Sequence, residues 1–217
     1  ADTKVFISLP KEFISLNETP KGFNPEYKHA IHYLTQRGIG MKEIIKYNIG
    51  YCKEGLYGQR IIIPSYNSDG SLNYFVSRSY YPENKMKYKN PPISKNIICF
   101  ESQVNWNEPI ILCEGVFDAI TIKRNAIPLL GKFPSRNLVE KIFMSGVSDI
   151  IISLDSDAIN EALKAAEYFR KQGINVKMMH MEDKDASEIG YKKFYEQLKK
   201  TKEFSSEELL LNKINSL

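Results

Sequence analysis

The chain has 217 residues, of which 42% are hydrophobic and 26% charged, and its formal net charge is +4 at pH 7. This composition is typical of a soluble globular protein with one large or two small domains. The apolar runs are all shorter than the roughly 18 residues that span a bilayer, which argues against a membrane protein. The three cysteines lack the paired spacing of a zinc site, so a reducing, cytoplasmic location is expected. Because the chain does not begin with Met, we expect a fragment of a longer protein.

The first half of the chain predicts a small mixed α+β subdomain over residues 1–105. Residues 1–24 contain Pro10 and Pro20 and are interpreted as an arm that does not pack. Apolar residues at helical spacing predict a helix over 25–37 and a shorter one over 41–47. Two apolar segments, 60–66 and 72–80, flank an Asn-Ser-Asp-Gly turn and predict a β-hairpin.

Basic and aromatic residues accompany and follow this hairpin. Arg60 begins its first strand, Arg78 lies near the end of the second, and Lys87, Tyr88 and Lys89 follow. Cations neutralise phosphates and aromatic rings stack on bases, so this pattern fits a binding site for nucleotides or single-stranded nucleic acid. On composition alone, a solvated loop whose tyrosines cover the edge of the core is an equally good interpretation.

The second half alternates between strand and helix patterns, which predicts a parallel sheet flanked by helices over residues 106–200. The predicted strands are 110–113, 126–130, 149–154 and 175–180. The predicted helices are 116–124, 135–144 and 158–172. Residues 201–217 are interpreted as a terminal helix or tail.

Acidic residues follow three of these strands: Glu114, the pair Asp155 and Asp157, and Asp185. The carboxyl ends of parallel strands meet at one edge of a sheet, where ligands bind in open α/β folds. Clustered carboxylates repel one another unless a cation lies among them, and their oxygens suit Mg²⁺. The alternative is that such residues only cap the helices that follow, as Asp157 could. Three clusters at one edge favour the metal site.

These residues match the motifs of a known domain. Glu114-Gly-x-x-Asp118, Asp155-x-Asp157 and Lys184-Asp185-x-x-Glu188 resemble the Toprim domain of primases, topoisomerases and related nucleases. The upstream segments resemble the basic subdomain in the RNA polymerase core of bacterial and phage (DnaG-type) primases. They are Arg60-Ile-Ile-Ile-Pro, Asp69-Gly70, the strand ending in Arg78, and Lys87-Tyr88-x-Asn90-Pro91. The resemblance covers roughly residues 28–200.

The resemblance implies a primase core that makes short RNA primers from ribonucleoside triphosphates on single-stranded DNA, with a replicative helicase as partner. It implies two or more Mg²⁺ or Mn²⁺ ions. The implied metal ligands are Glu114, Asp155, Asp157 and Asp185. The implied catalytic acids are Glu114, Asp118, Asp155 and Asp157. The residues implied to bind nucleotide or template are Arg60, Arg78, Lys87, Tyr88 and Lys89.

The chain departs from the family pattern at three points. The zinc module of full-length primases is absent from this sequence, so we expect it on a longer chain or not at all. Ser187 stands where an acid is often found, and Lys132 follows Gly131 where relatives tend to have a small hydroxyl residue. Two other functions stay open: a metal-dependent Toprim nuclease that uses the same acids, and a non-catalytic module that binds single-stranded DNA.

Overall fold

A computed structural model describes residues 7–155, 158–179 and 185–204 of the chain. The chain divides into two compact units, residues 1–102 and residues 103–217. Within the described residues, no helix is both long and apolar enough to cross a membrane.

The first unit is built on a four-stranded antiparallel sheet with strand order β1-β2-β3-β4. Its strands are β1 (Phe13–Ser15), β2 (Gly50–Cys52), β3 (Arg60–Tyr66) and β4 (Leu72–Ser79). Its helices are α1 (Pro25–Gln36) and α2 (Met41–Lys46). The predicted hairpin is confirmed as β3 and β4, joined by a turn in which Gly70 has a φ of +83°. Glycine adopts this left-handed conformation without a steric penalty.

The prediction of an unpacked arm is wrong for residues 13–16. Phe13–Ser15 pair with β2, and Leu16 is fully buried. A Cβ atom at Gly50 would clash with the ring of Phe13, so this pairing depends on a glycine in the neighbouring strand. A strand of three residues carries too little periodicity for the sequence to reveal it.

The second unit contains a four-stranded parallel sheet with strand order β6-β5-β7-β8. Its strands are β5 (Ile110–Cys113), β6 (Ala126–Pro128), β7 (Asp149–Ser153) and β8 (Asn175–Met178). Its helices are α3 (Val116–Ile122), α4 (Arg136–Ser145), α5 (Ile159–Lys171) and α6 (Ala186–Lys200). The predicted α/β architecture is therefore confirmed.

The core of this unit explains why β5 and the centre of β7 are apolar. All four residues of β5 are buried, as are Ile150 and Ile152 of β7, because helices cover the sheet. Phe169 of α5 and Phe194 of α6 are fully buried, and burying one such side chain stabilises the fold by about 1.5–3 kcal/mol.

Several boundaries in the second unit differ from the predictions by one or two residues. The helix predicted over 116–124 ends at Ile122 because Lys123 has a left-handed φ of +65°. The strand predicted over 126–130 ends at Pro128. Of the predicted tail 201–217, the structure describes residues 201–204, and 205–217 lie outside the described residues.

Candidate active site

The acid edge of the parallel sheet is formed by Glu114, Asp118, Asp155 and Asp185. Because β5 and β7 are adjacent and parallel, the chain segments that follow them leave the sheet at the same edge. The backbone N–H of Asp155 donates a hydrogen bond to Glu114 Oε1 over 3.2 Å. The structure therefore brings together two acids that are 41 residues apart in the sequence, as the sequence predicted.

Asp118 occupies a different environment from these two acids. It lies in the first turn of α3 and is buried, with 8% of its surface exposed. Its Oδ2 accepts a hydrogen bond from the N–H of Gly115 over 3.1 Å, and its Oδ1 accepts one from the N–H of Ser187 over 3.1 Å. One carboxylate thus holds the β5–α3 turn and the start of α6 together. These contacts give Asp118 a structural role, and its predicted role as a catalytic acid stays a prediction.

Gly115 leaves space for this contact. A Cβ atom there would lie 3.2 Å from Asp118 Oδ2, which is closer than most side chains tolerate. Any larger residue at position 115 would therefore displace the carboxylate of Asp118.

Burial and neighbouring charges change the acidity of Asp118. Burial raises its pKa most, and the negative charge of Asp185 raises it further. The hydrogen bonds from Ser187 and Gly115 act in the opposite direction, and Asp155 adds a smaller increase. The result is a pKa of about 7, against an ordinary value of 3.8. Asp118 is thus a buried carboxyl group with other acids close by.

Asp185 caps a helix, which is the role that the alternative interpretation gave to the strand-end acids. Its Oδ1 accepts hydrogen bonds from the N–H of Glu188 over 2.8 Å and from Ser187 Oγ over 2.7 Å. Asp185 is therefore the N-cap of α6, and Ser187, which stands where relatives often have an acid, supports that cap. Its predicted role as a metal ligand stays a prediction.

The predicted metal site stays a prediction, because only some of its residues are described. Among residues 7–155, 158–179 and 185–204, no group of three His, Cys, Asp or Glu side chains is arranged to hold a metal ion. Asp157, predicted as both a catalytic acid and a metal ligand, lies outside the described residues. Two of the described acids are joined directly, since the backbone N–H of Asp155 donates a hydrogen bond to the carboxylate of Glu114.

In the first unit, Arg60 lies inside the fold. It is 4% exposed, and its guanidinium donates hydrogen bonds to two backbone carbonyls, from Nη2 to Met86 over 2.7 Å and from Nη1 to Lys87 over 3.2 Å. Burial lowers the pKa of Arg60, and the nearby charge of Arg78 lowers it further. Arg60 therefore holds the segment that carries Lys87, Tyr88 and Lys89. Its own predicted contact with nucleotide or template stays a prediction.

We call residues 86–90 the basic segment. It lies along the outer edge of β4, because Ser79 donates a backbone hydrogen bond to Lys87 over 2.9 Å and Lys89 donates one to Ser77 over 3.0 Å. Arg78 of β4 pairs with Tyr88, and its guanidinium lies 4.6 Å from the centre of the Tyr88 ring.

The predicted binding residues of the basic segment differ in exposure. Lys87 and Tyr88 are exposed, and Lys89 is half-buried. The structure thus places a cation and an aromatic face on the surface next to one another, on a backbone held by Arg60.

Sequence reasoning missed two features of the site. The first is the bond between Asp118 and Ser187, which joins residues 69 positions apart and has no local sequence signal. The second is Leu130, which has a left-handed φ of +55° and donates a backbone hydrogen bond to the carbonyl of Glu114 over 3.0 Å. The bond between Gly115 and Asp118 was within reach of the sequence, since an acid three residues after a helix N-cap is a known capping pattern.

Several solved structures share this fold. A DnaG primase catalytic domain bound to single-stranded DNA has a TM-score of 0.73 at 18% identity, with 88% of this chain and 76% of that chain covered. The Escherichia coli primase catalytic core has a TM-score of 0.70 at 18% identity, with 88% and 78% covered. The Aquifex aeolicus primase, comprising zinc-binding and RNA polymerase domains, has a TM-score of 0.70 at 18% identity, with 83% and 57% covered.

No protein-family model and no curated protein matches the chain. The structural likeness confirms that the chain has the fold of the DnaG-type primase catalytic core. At identities of 15–19%, it shows the fold alone.

Proposed function

We propose that this chain is the catalytic core of a DNA primase, which joins ribonucleoside triphosphates into short RNA primers on single-stranded DNA. The observation that carries the proposal is the direct bond between the ends of β5 and β7, from the Asp155 N–H to Glu114. It occurs in a chain that has the fold of primase catalytic cores. An adventitious pair of acids would not be expected at the ligand-binding edge of such a sheet.

The donor groups of the acid edge fit divalent cations. Glu114, Asp155 and Asp185 supply carboxylate oxygens, the ligands that Mg²⁺ and Mn²⁺ prefer, and Asp157 would join them. Burial raises the pKa of Asp118 most, and the further increase from Asp185 and Asp155 supports this assignment, because it reflects the proximity of these negative charges. When bound, the metal ions would lower the pKa of the primer hydroxyl and neutralise charge on the transferred phosphate.

The remaining residues have roles that follow from their contacts. Asp118 keeps the start of α6, and with it Asp185, next to the turn that carries Glu114. Lys87 provides an exposed charge for phosphate, and Tyr88 provides a ring for base stacking. A replicative helicase and a zinc-binding module on a longer chain complete the proposed system.

The experiment that tests the proposal measures ribonucleotide incorporation on single-stranded DNA with Mg²⁺ or Mn²⁺. The test variant is Asp155→Asn, and the matched control is Asp149→Asn, since Asp149 begins the same strand at the opposite edge. We expect short RNA products from the native chain and the control. We expect at least about a 100-fold loss from Asp155→Asn, because the site would lose an anionic ligand for the metal ions that neutralise the transferred phosphate.

Two outcomes would overturn the proposal. Metal-dependent degradation of the template, without triphosphates and lost in Asp155→Asn, would identify a Toprim-type nuclease. DNA binding without synthesis or degradation, unchanged by Asp155→Asn, would identify a non-catalytic binding module.

A further inference from the structure

The loop that leaves β6 lies at the acid edge and carries a lysine whose function is unassigned. β6 pairs in parallel with β5, and the pairing continues beyond the strand through two backbone bonds. Leu129 donates to the carbonyl of Cys113 over 2.8 Å, and Leu130 donates to the carbonyl of Glu114 over 3.0 Å. The backbone just before Gly131 and Lys132 is therefore bonded to the residue that begins the acid edge.

The conformation of Leu130 sets the direction in which this loop continues. Its φ of +55° lies in the left-handed region, which costs a residue with a side chain roughly 1–2 kcal/mol. A conformation of this kind persists only where surrounding contacts impose it. Here the N–H of Leu130 is bonded to the carbonyl of Glu114, and the three residues that follow are exposed. Gly131, Lys132 and Phe133 are all exposed, and a Cβ atom at Gly131 would meet open space.

The negative charge of the acid edge indicates what Lys132 can do there. The acid edge carries Glu114, Asp118, Asp155 and Asp185, so any anionic substrate that approaches it is repelled by the protein. Four loops lie at this edge, and their described parts are residues 114–115, 129–135, 154–155, 179 and 185. Within these described residues, Lys132 is the single cationic side chain. Lys184 lies outside the described residues. Arg136 lies beyond these loops, in the first turn of α4.

We propose that Lys132 binds a phosphate group of the substrate at the acid edge. The inference rests on the proposed function and adds to it a phosphate contact from the parallel-sheet unit itself. The phosphate could belong to a nucleoside triphosphate or to the backbone of nucleic acid, and both present the same oxyanion to the ammonium group.

The experiment compares Lys132→Gln, which keeps most of the side-chain length and removes the charge, with Lys132→Arg, which keeps the charge. Lys164→Gln is the control, because Lys164 is an exposed lysine on α5. One arm measures the dissociation constant of a fluorescent nucleoside triphosphate, with the monophosphate as reference. The other arm measures the dissociation constant of fluorescent single-stranded DNA at two salt concentrations.

We expect Lys132→Gln to weaken one of these ligands roughly 3- to 10-fold, a size set by the solvent exposure of the contact. Lys132→Arg should retain most of the affinity, and Lys164→Gln all of it. Weaker triphosphate binding assigns the contact to the nucleotide. Weaker DNA binding with a smaller salt dependence assigns it to the nucleic-acid backbone.

Unchanged affinity for both ligands in Lys132→Gln overturns the inference. So does an equal loss in Lys164→Gln, which would reveal only a general charge effect. The binding arms do not depend on catalysis. A native chain that binds triphosphate without making RNA would defeat the proposed function, while the comparison of variants would still decide the role of Lys132. A native chain that binds neither ligand would defeat both.

Discussion

The two units of this chain differ in their balance of charge, and each buries one charged side chain of opposite sign. Residues 1–102 contain 14 Lys and Arg against 9 Asp and Glu, whereas residues 103–217 contain 16 against 17. In the antiparallel unit, the buried cation Arg60 donates hydrogen bonds to two backbone carbonyls, yet burial and the nearby charge of Arg78 lower its pKa. In the parallel unit, the buried carboxylate Asp118 accepts hydrogen bonds from two backbone N–H groups, yet burial above all, and then the nearby acids, raise its pKa. The comparison teaches that a buried charge can be satisfied by hydrogen bonds and still be electrostatically strained.

The strain on Asp118 should make the stability of the parallel unit depend on pH. Its folded pKa of about 7 exceeds its ordinary value of 3.8, so the folded state binds more protons between these pH values. The free energy of unfolding should therefore fall as the pH rises from about 4 to about 7, by at most about 4 kcal/mol from this group. Chemical denaturation in EDTA, repeated across this range, measures the slope.

Asp118→Asn should flatten this slope, because an amide does not titrate. It should also be less stable than the native chain at pH 4, since the amide offers one acceptor oxygen for the two N–H groups of Gly115 and Ser187. Asp149→Asn is the control, because Asp149 lies at the other end of β7. An unchanged slope in Asp118→Asn would show that other groups cause the pH dependence.

Arg60 offers the corresponding test in the antiparallel unit. Arg60→Ala should lower the free energy of unfolding by about 3 kcal/mol, because it leaves the carbonyls of Met86 and Lys87 without their donor. Hydrogen exchange should show lost protection at Ser79 and Lys89, whose backbone bonds hold the basic segment. Arg60→Lys should restore only part of the stability, because an ammonium group lacks the planar fork of the guanidinium.

The same experiment sharpens the comparison of the two units. If protection at Leu112 and Ile152 in the parallel sheet is retained in Arg60→Ala, the units unfold separately. Equal loss in both sheets would show one cooperative unfolding transition instead. Full stability of Arg60→Ala would contradict the structural role assigned to Arg60.

Lys87 should give the smallest of these effects, because its side chain is exposed. Lys87→Ala should weaken binding of single-stranded DNA or raise the KM for nucleotide about 3- to 5-fold, and it should leave the melting temperature unchanged. Lys53→Ala, which removes another exposed lysine of the same unit, is the control. Equal affinity in Lys87→Ala and the native chain would remove Lys87 from the binding surface.

The acid edge could be predicted from the sequence because its cause is local and repetitive. The runs 110–113 and 150–152 are apolar throughout, which indicates strands covered on both faces, and an acid follows each run within three residues. Once the strands are parallel and adjacent, the meeting of Glu114 with Asp155 follows from topology. The turn that ends α5 was predictable for a similar reason, since Gly173 has the left-handed φ of +83° that suits a helix C′ position.

The features that escaped prediction depend on contacts between distant parts of the chain. The sequence places Arg60 at the head of a strand but does not reveal that its side chain turns inward to the carbonyls of residues 86 and 87. Likewise, the left-handed conformation at position 130 has no sequence signal, because the residue is Leu and not Gly or Asn. The structure shows it together with a backbone bond to the carbonyl of Glu114. Side-chain direction and imposed backbone strain are set by tertiary packing, which periodicity does not encode.

The segment that follows α6 has a consequence for solubility. Phe204 donates a backbone hydrogen bond to the carbonyl of Val176 over 2.8 Å, and Glu203 pairs with Lys177, so residues 203 and 204 cover part of the outer edge of β8. An uncovered edge strand offers free N–H and C=O groups to a second molecule and promotes intermolecular β-pairing. A version shortened to residue 200 would keep every acid discussed above, yet it would expose this edge. Residues 201–204 therefore belong to any recombinant form intended for concentrated solution.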